Sequence, residues 1–287
     1  MKILITGADG QLGWELRRVV PGGVELTTCN SAELDITNGG LVDEVVSRLS
    51  PEIIINAAAY TAVDKAENEA ERAMAVNRDG VAHLAAAAGA VGAGVIHVST
   101  DFVFDGCHYR PYLPEDTPHP TGIYGESKLA GERMLLEKCP DAAIIRTAWV
   151  YSAHGNNFVK TMLRLMAERD ELGVVADQIG SPTWAAGLAQ ALWQLAAEKL
   201  TGIYHWTDAG VASWYDFACA IQEEALRLGI LRREAVIRPL RSEDYPTLAR
   251  RPPYSVLDKT ILWEKFGVAA PHWRLNLKKM LAELKNV

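Results

Sequence analysis

The stretch MKILITGADGQLGWEL, residues 1–16, decides the fold. Its apolar run at 2–6 predicts a buried strand, and the amphipathic segment that follows the turn predicts a helix. Between the two, Gly7, Gly10 and Gly13 have the spacing G-x-x-G-x-x-G. Glycines in such a turn let backbone N–H groups approach a pyrophosphate, and the helix adds its positive N-terminal end. A nucleotide-binding strand–turn–helix unit is therefore expected at the start of the chain.

Further apolar runs continue this pattern, and helical stretches separate them. Strands that are apolar along their whole length and alternate with helices are typical of a parallel sheet covered on both faces. Right-handed crossovers then give a doubly wound α/β sheet of the Rossmann type. The predicted strands are 2–6, 24–28, 52–57, 94–99 and 142–148, and the predicted helices up to residue 150 are 11–20, 39–49, 68–90 and 122–138.

The pattern loosens after residue 150, where Pro, Trp and Arg become frequent and helices are predicted near 156–169, 183–198 and 213–228. We expect residues 1–150 to form an NAD(P)-binding Rossmann domain. Residues 151–287 are expected to form mainly a smaller C-terminal α/β substrate-binding lobe, with the chain crossing again between the two parts.

Composition excludes several classes of protein. A net charge of −7 without long basic runs argues against nucleic acid or a membrane surface as a partner. The apolar runs are too short for a signal peptide or a membrane span. The cysteines are Cys29, Cys107, Cys139 and Cys219, with no close pair, and the histidines are scattered. Reduced thiols, a cytoplasmic location and no metal site are therefore expected.

The choice of cofactor depends on the end of the second strand. A carboxylate there would bind the ribose hydroxyls of NAD, but the sequence has none before Glu33 and Asp35. Arg17 and Arg18 of the first helix are candidates to reach a 2′-phosphate. These features favour NADPH, with NADH as a second substrate. Asp35 has two interpretations, either a contact near the adenine or a helix or turn cap.

The five residues YGESK, 124–128, place Tyr124 and Lys128 on one face of a helix. Alone they also fit a solvated surface pair. Thr100 and Asp101 follow the fourth strand, at the sheet edge where ligands of such folds bind. A phenol gives up its proton more readily beside an ammonium group, and Thr100 would stabilise charge on a carbonyl oxygen. The combination indicates carbonyl reduction by a nicotinamide cofactor.

These residues resemble the extended short-chain dehydrogenase/reductase superfamily. Within it, nearly the whole chain is similar to the dTDP-4-dehydrorhamnose reductases, which reduce the C4 keto group of dTDP-4-dehydro-L-rhamnose to give dTDP-L-rhamnose. The glutamate that dehydratases of the superfamily carry after the aspartate is Phe102 here. The stretches that carry the resemblance are GQLGWEL, NAAAYTAVDKAE, STDFVFDG, YGESKLAGE, RTAWVYS, GNNFVKTMLRL, DQIGSPT and ARRP.

The resemblance implies a role for individual residues. Thr100, Tyr124 and Lys128 match the catalytic positions. Thr100, Asp101 and Trp149 match positions that meet the sugar. The positions that match cofactor contacts are Gly10, Gln11, Leu12, Asp35, Ile36, Ala59, Tyr60, Thr61, Val98, Tyr124 and Lys128.

The substrate lobe offers Asn156, Asn157, Gln178, Arg250 and Arg251 as candidates for the nucleotide sugar. An arginine fork suits a pyrophosphate, but either arginine also suits a carboxylate of the first domain. Trp149 is expected either to cover the sugar ring or to fill the junction between the two parts.

Oligomeric state and reaction leave further alternatives. Some family members dimerise through magnesium held by glutamates. Glu15 and Glu283 match that set, but its middle position is Ala186, so a monomer or weak homodimer without metal is expected. The alternative functions are a ketoreductase or epimerase for another nucleotide sugar, and a non-catalytic regulatory subunit resembling that of methionine adenosyltransferase.

Overall fold

A computed structural model describes residues 1–286 and confirms the predicted α/β fold. The strands are β1 (Lys2–Thr6), β2 (Glu25–Cys29), β3 (Ile53–Asn56), β4 (Gly94–Thr100), β5 (Ala143–Thr147), β6 (Val150–Tyr151), β7 (Glu171–Val175), β8 (Ile179–Gly180), β9 (Thr183–Trp184), β10 (Gly202–His205), β11 (Ala212–Ser213) and β12 (Val236–Leu240). The α-helices are α1 (Gln11–Arg18), α2 (Gly39–Leu49), α3 (Val63–Ala66), α4 (Ala70–Met74), α5 (Gly80–Val91), α6 (Ile123–Lys138), α7 (Phe158–Glu168), α8 (Ala185–Glu198), α9 (Trp214–Arg227), α10 (Thr260–Phe266) and α11 (Trp273–Lys285).

The main sheet is parallel throughout, in the order β10-β5-β4-β3-β1-β2. Successive side chains of its strands point to opposite faces. Ile3 and Ile55 therefore pack with helices α1 and α8, whereas Leu4 and Ile54 pack with α2 and α5 on the other face. The order of the strands reverses at β1, and ligands of doubly wound sheets bind beside such a point.

Residues after 150 contribute to two different cores. Helix α8 packs against α1, and β10 extends the main sheet beside β5. Helices α7, α9 and α11 instead pack with one another around Phe217 and Leu277. Three two-stranded sheets, β11-β8, β12-β7 and β6-β9, border this second core.

The predicted helix at 68–90 is interrupted. Helices α4 and α5 are joined by a π-helical turn at Ala75–Asp79. Asn77 lies within this turn, and its buried side chain accepts from Tyr60 N (2.9 Å) and donates to Ser127 Oγ (2.9 Å). The interruption therefore ties the loop after β3 to helix α6, which regular helical spacing alone does not reveal.

Helix α6 lies unusually close to its neighbours. A Cβ built on Gly125 would lie 2.2 Å from Phe102 O, and one on Gly131 would lie 2.0 Å from Asn77 O. Glu132, one turn beyond Lys128, forms a buried pair with Arg146 of β5, with N–O distances of 3.0 and 2.7 Å. These contacts fix the position of α6 on the sheet.

Replacing Glu132 by alanine should lower the free energy of unfolding by about 3–5 kcal/mol, because it leaves the guanidinium of Arg146 buried without its partner. The matched control is Glu168→Ala, which breaks the exposed pair with Arg164 and should change little. Urea unfolding of both variants measures the difference. Similar losses in the two would contradict this role for Glu132.

Candidate active site

A cleft of about 690 Å³ opens at the carboxyl edge of the main sheet. The residues predicted to bind the cofactor line it, apart from the candidates Arg17 and Arg18, and so do the predicted catalytic residues. Of the predicted nucleotide-sugar contacts, Thr100, Asp101, Trp149, Asn156 and Asn157 line it, whereas Gln178, Arg250 and Arg251 do not. The sheet thus brings together side chains that are more than 100 residues apart in the chain.

The glycine turn leaves no room for side chains. Gly7 has φ +72°, and a Cβ there would lie 2.6 Å from Ala58 N. A Cβ on Gly13 would lie 2.3 Å from the Gly7 carbonyl oxygen. Helix α1 begins just beyond Gly10, which has no side chain to cap it. Its first N–H groups therefore face the cleft, and this arrangement fits the pyrophosphate of a dinucleotide.

The adenine end of the cleft is bordered by the segment after β2. Asp35 lines the cleft, and its carboxylate also accepts from the backbone N–H (2.9 Å) and hydroxyl (2.8 Å) of Thr37. Both interpretations of Asp35 are therefore compatible with its position. Arg17 pairs with Asp9, and Arg18 is held between Glu15 and Glu283. Neither arginine lines the cleft, although Asp9, the partner of Arg17, does. That one of them reaches a 2′-phosphate therefore stays a prediction.

Glu15 and Glu283, the two glutamates that match the magnesium-binding set, thus both pair with the guanidinium of Arg18. Glu15 is buried, and besides Arg18 Nε (2.8 Å) it accepts from Ser152 Oγ (2.8 Å). Among residues 1–286, no three His, Cys, Asp or Glu side chains are grouped to hold a metal ion. No helix in the same range is both long and apolar enough to cross a bilayer.

Tyr124 and Lys128 occupy successive turns of α6 and face the cleft wall. The ring of Phe102 packs edge-on against Tyr124, at 5.4 Å between centroids. Burial raises the pKa of the Tyr124 phenol to about 12, although a hydrogen bond with Thr100 opposes the rise. Burial also lowers the pKa of Lys128 to about 8, and its Nζ donates to Val98 O at 2.7 Å. The phenol is therefore protonated at neutral pH, as a proton donor requires.

Thr100 ends β4 and is linked to the next residue. Its hydroxyl donates to Asp101 Oδ1 at 3.0 Å and accepts from Phe102 N at 3.2 Å. Asp101 Oδ2 is buried and has no hydrogen-bond partner within residues 1–286. The hydroxyl oxygens of Ser99 and Thr147 are also buried and have no hydrogen-bond partner among residues 1–286. Such groups at one edge of a cleft suit a polar ligand such as a sugar.

Trp149 lies at the junction of the two cores. Its φ is +50°, a strained value for a bulky residue, and its ring stacks on Trp214 at 3.5 Å. Asn157 caps α7 and donates to Gln11 Oε1 (2.9 Å), which links the second core to the glycine turn. Both side chains border the cleft, so sugar contact and junction packing are compatible for Trp149.

Arg251 pairs with Asp64 of α3 at 2.6 Å, and Ala249 N also donates to that carboxylate. This is the alternative that the sequence left open for the two arginines. Arg250 is exposed. A pyrophosphate contact by Arg251 would require it to leave Asp64.

Several residues line the cleft without having been predicted, among them Ser31, Arg72, Thr147 and Leu188. Ser31 and Thr147 follow or end predicted strands, so the rule that ligands bind at the carboxyl edge could have identified them. Leu188 has no such signal, because α8 returns to the main sheet from beyond residue 150.

The parallel sheet, the glycine turn and the Tyr–Lys helix define an oxidoreductase of the extended short-chain dehydrogenase/reductase class. The model of the family described as "RmlD substrate binding domain" matches residues 1–286. The dTDP-4-dehydrorhamnose reductase of Aggregatibacter actinomycetemcomitans is 45% identical over 98% of this chain and 98% of its own. This chain belongs to the dTDP-4-dehydrorhamnose reductase family.

Solved structures agree with that assignment. The dTDP-4-dehydrorhamnose reductase of Clostridium acetobutylicum superposes with a TM-score of 0.94 at 41% identity, over 99% of this chain and 100% of that one. The enzyme of Bacillus anthracis, in complex with NADP, superposes with a TM-score of 0.93 at 39% identity, over 98% and 99% of the two chains. The resemblance inferred from the motifs is confirmed.

The environment of Asp101 makes stability depend on pH. Burial raises the pKa of its carboxyl to about 6, and the nearby hydroxyls of Ser255 and Thr100 offset this only in part. In the unfolded chain the pKa is about 3.9. Between these values the folded state keeps a proton that the unfolded state has lost, so stability falls as pH rises and stays reduced above pH 6.

Asp101→Asn removes this titration. Its free energy of unfolding should be close to that of the unchanged protein near pH 4 and higher by about 3 kcal/mol near pH 7. Urea unfolding at both pH values tests the expectation. A difference between the two proteins that is the same at both pH values would contradict it.

Proposed function

We propose that this protein catalyses the NAD(P)H-dependent reduction of the C4 keto group of dTDP-4-dehydro-L-rhamnose to give dTDP-L-rhamnose, the last step of dTDP-rhamnose biosynthesis. The observation that carries the proposal is the convergence of Thr100, Tyr124 and Lys128 in one cleft with the glycine turn. Membership of the reductase family along the whole chain supports the choice of substrate.

When bound, the reduced nicotinamide supplies a hydride. The Tyr124 phenol donates a proton to the substrate oxygen, and its elevated pKa keeps that proton available at neutral pH. The ammonium form of Lys128 stabilises the phenolate that results. The Thr100 hydroxyl donates to the same substrate oxygen as charge develops on it. In the protein alone this hydroxyl donates to Asp101, so the substrate must take it over.

The binding roles follow the two cores. Residues 1–150 hold the dinucleotide through the turn at Gly7, Gly10 and Gly13. The lobe after residue 150 supplies Trp149's partner Trp214 and the cleft residue Asn157 for the dTDP-sugar. We propose NADPH as the preferred cofactor, in line with the NADP complex of the Bacillus anthracis relative, with NADH as a weaker substitute.

The surroundings of the enzyme are proposed on the same basis. A net charge of −7 argues against nucleic acid and membrane surfaces as partners. The cysteines within residues 1–286 are free thiols, which suits the cytoplasm. Since Arg18 already pairs with both Glu15 and Glu283, we propose a monomer or weak homodimer that does not depend on metal.

The test of the function is the loss of nicotinamide absorbance on addition of dTDP-4-dehydro-L-rhamnose, first with NADPH and then with NADH. Oxidation of the cofactor with formation of dTDP-L-rhamnose is the expected result. Oxidation only with another 4-keto nucleotide sugar would favour a sibling ketoreductase. Cofactor binding without turnover of any such sugar would favour a regulatory subunit.

Tyr124→Phe tests the proton donor. The variant should bind NADPH as the unchanged enzyme does, while its turnover falls about 10²- to 10⁴-fold, because the substrate oxygen loses its proton source. Fluorescence titration of NADPH and steady-state rates give the two quantities. Turnover within a few-fold of the unchanged enzyme would exclude Tyr124 as the donor.

A further inference from the structure

A row of buried polar side chains crosses the sheet beneath the cleft. The strand register sets Thr6 beside Asn56 and Asn56 beside His97, and none of the three is more than 1% exposed. Thr6 Oγ1 donates to Asn56 Oδ1 at 2.7 Å, and Asn56 Nδ2 lies 3.0 Å from His97 Nδ1. His97 Nε2 lies 3.3 Å from Lys128 Nζ. The row therefore ends on a residue of the active site.

Hydrogen-bond geometry fixes where the protons of this row lie. Ala58 N is 3.1 Å from the Asn56 side chain, and a backbone N–H can only donate. The atom that faces it is therefore the amide oxygen, so the amide NH₂ must face His97. His97 Nδ1 then accepts, and a neutral imidazole with an unprotonated Nδ1 carries its proton on Nε2.

The Nε2–H of His97 consequently points at Lys128 Nζ. A neutral amine can accept that proton through its lone pair while donating to Val98 O, 2.7 Å away. An ammonium has three donors and no lone pair, so it cannot accept from the Nε2–H of His97, and two donors would face each other. The contact between His97 and Lys128 is therefore a hydrogen bond only when Lys128 is uncharged.

We propose that Asn56 and His97 are positioning residues that favour the neutral amine form of Lys128 over the ammonium before ligands bind, by presenting the Nε2–H tautomer of His97 to it. Uptake of one proton from solvent converts the amine to the ammonium. The ammonium loses its contact with His97 and turns its N–H groups towards the cleft and Tyr124. The charge of the Lys128 side chain thereby determines whether Nζ interacts with His97 or with the cleft.

The electrostatic surroundings agree with this arrangement. Burial holds the pKa of His97 well below its ordinary value, so the imidazole is neutral, and any charge on Lys128 lowers that pKa further. Burial lowers the pKa of Lys128 towards neutrality, and Glu132 opposes that change. The titratable and charged groups around Lys128 are His97 of β4, Asp101 beyond β4, Tyr124 and Glu132 of α6, and Arg146 of β5.

The first test reads the tautomer directly. Long-range ¹H–¹⁵N NMR of the protein labelled with ¹⁵N-histidine distinguishes the two ring nitrogens, and loss of signals in His97→Gln identifies His97 among the seven histidines. We expect a neutral ring protonated at Nε2 across neutral pH. A ring protonated at Nδ1, or at both nitrogens, would overturn the proposal.

Asn56→Asp keeps almost the same side-chain shape but should reverse the direction of the hydrogen bonds from residue 56 through His97 to Lys128. A carboxylate accepts from Ala58 N and also from His97 Nδ1–H, so His97 should change to the Nδ1–H tautomer and accept from the Lys128 ammonium. The pKa of Lys128 should then rise by about one unit or more, and the basic limb of the kcat/KM profile should move up with it. Because the new carboxylate also attracts the ammonium, the tautomer is the deciding signal.

Thr6→Val is the matched control. It removes a hydrogen bond to the same Asn56 oxygen, but Ala58 N still fixes the amide, so stability should fall while the tautomer of His97 stays unchanged. A tautomer unaffected by Asn56→Asp, or altered by Thr6→Val, would contradict the proposal. Only the kinetic readout depends on the proposed function, since the tautomer is measured without substrate. Failure of the proposed reaction would leave the NMR result intact.

Discussion

Parallel pairing of β1, β3, β4 and β5 is the constraint on which the site depends. Its register sets Thr100 beside Thr147 at the carboxyl edge, and it sets Thr6, Asn56 and His97 in one row, which crosses β4 three residues before Thr100. A shift by one residue would send each of these side chains to the opposite face. Helix α6 then needs only a close approach, which Gly125 and Gly131 permit, to bring Lys128 over that row.

Burial shifts the pKa values of three titratable groups in the cleft. Burial raises the pKa of Asp101 to about 6 and that of Tyr124 to about 12, and it lowers the pKa of Lys128 to about 8. Two of these groups thus titrate near neutral pH. Since a binding ligand excludes further water and brings its own charges, it can change the protonation of such groups at small cost in free energy.

Local patterns made much of this predictable. The main-sheet strands up to residue 150 and the helix of Tyr124 and Lys128 follow from apolar runs and helical spacing, and the glycine turn follows from its position between strand and helix. Long-range contacts were not predictable in the same way. Arg251 meets Asp64 across 187 positions, α8 returns Leu188 to the cleft, and the buried Asn77 lies in a π turn that interrupts its helix. The local spacing of apolar residues does not predict these contacts, because each depends on how distant segments pack.

The most direct measurement is the fate of the hydride. The protein would be incubated with dTDP-4-dehydro-L-rhamnose and NADPH deuterated at the transferring position of the nicotinamide, and the product analysed by NMR and mass spectrometry. The account predicts one deuterium at C4 of the rhamnose of dTDP-L-rhamnose. Unlabelled product, or unchanged keto sugar beside a cofactor that binds in the cleft, would contradict it.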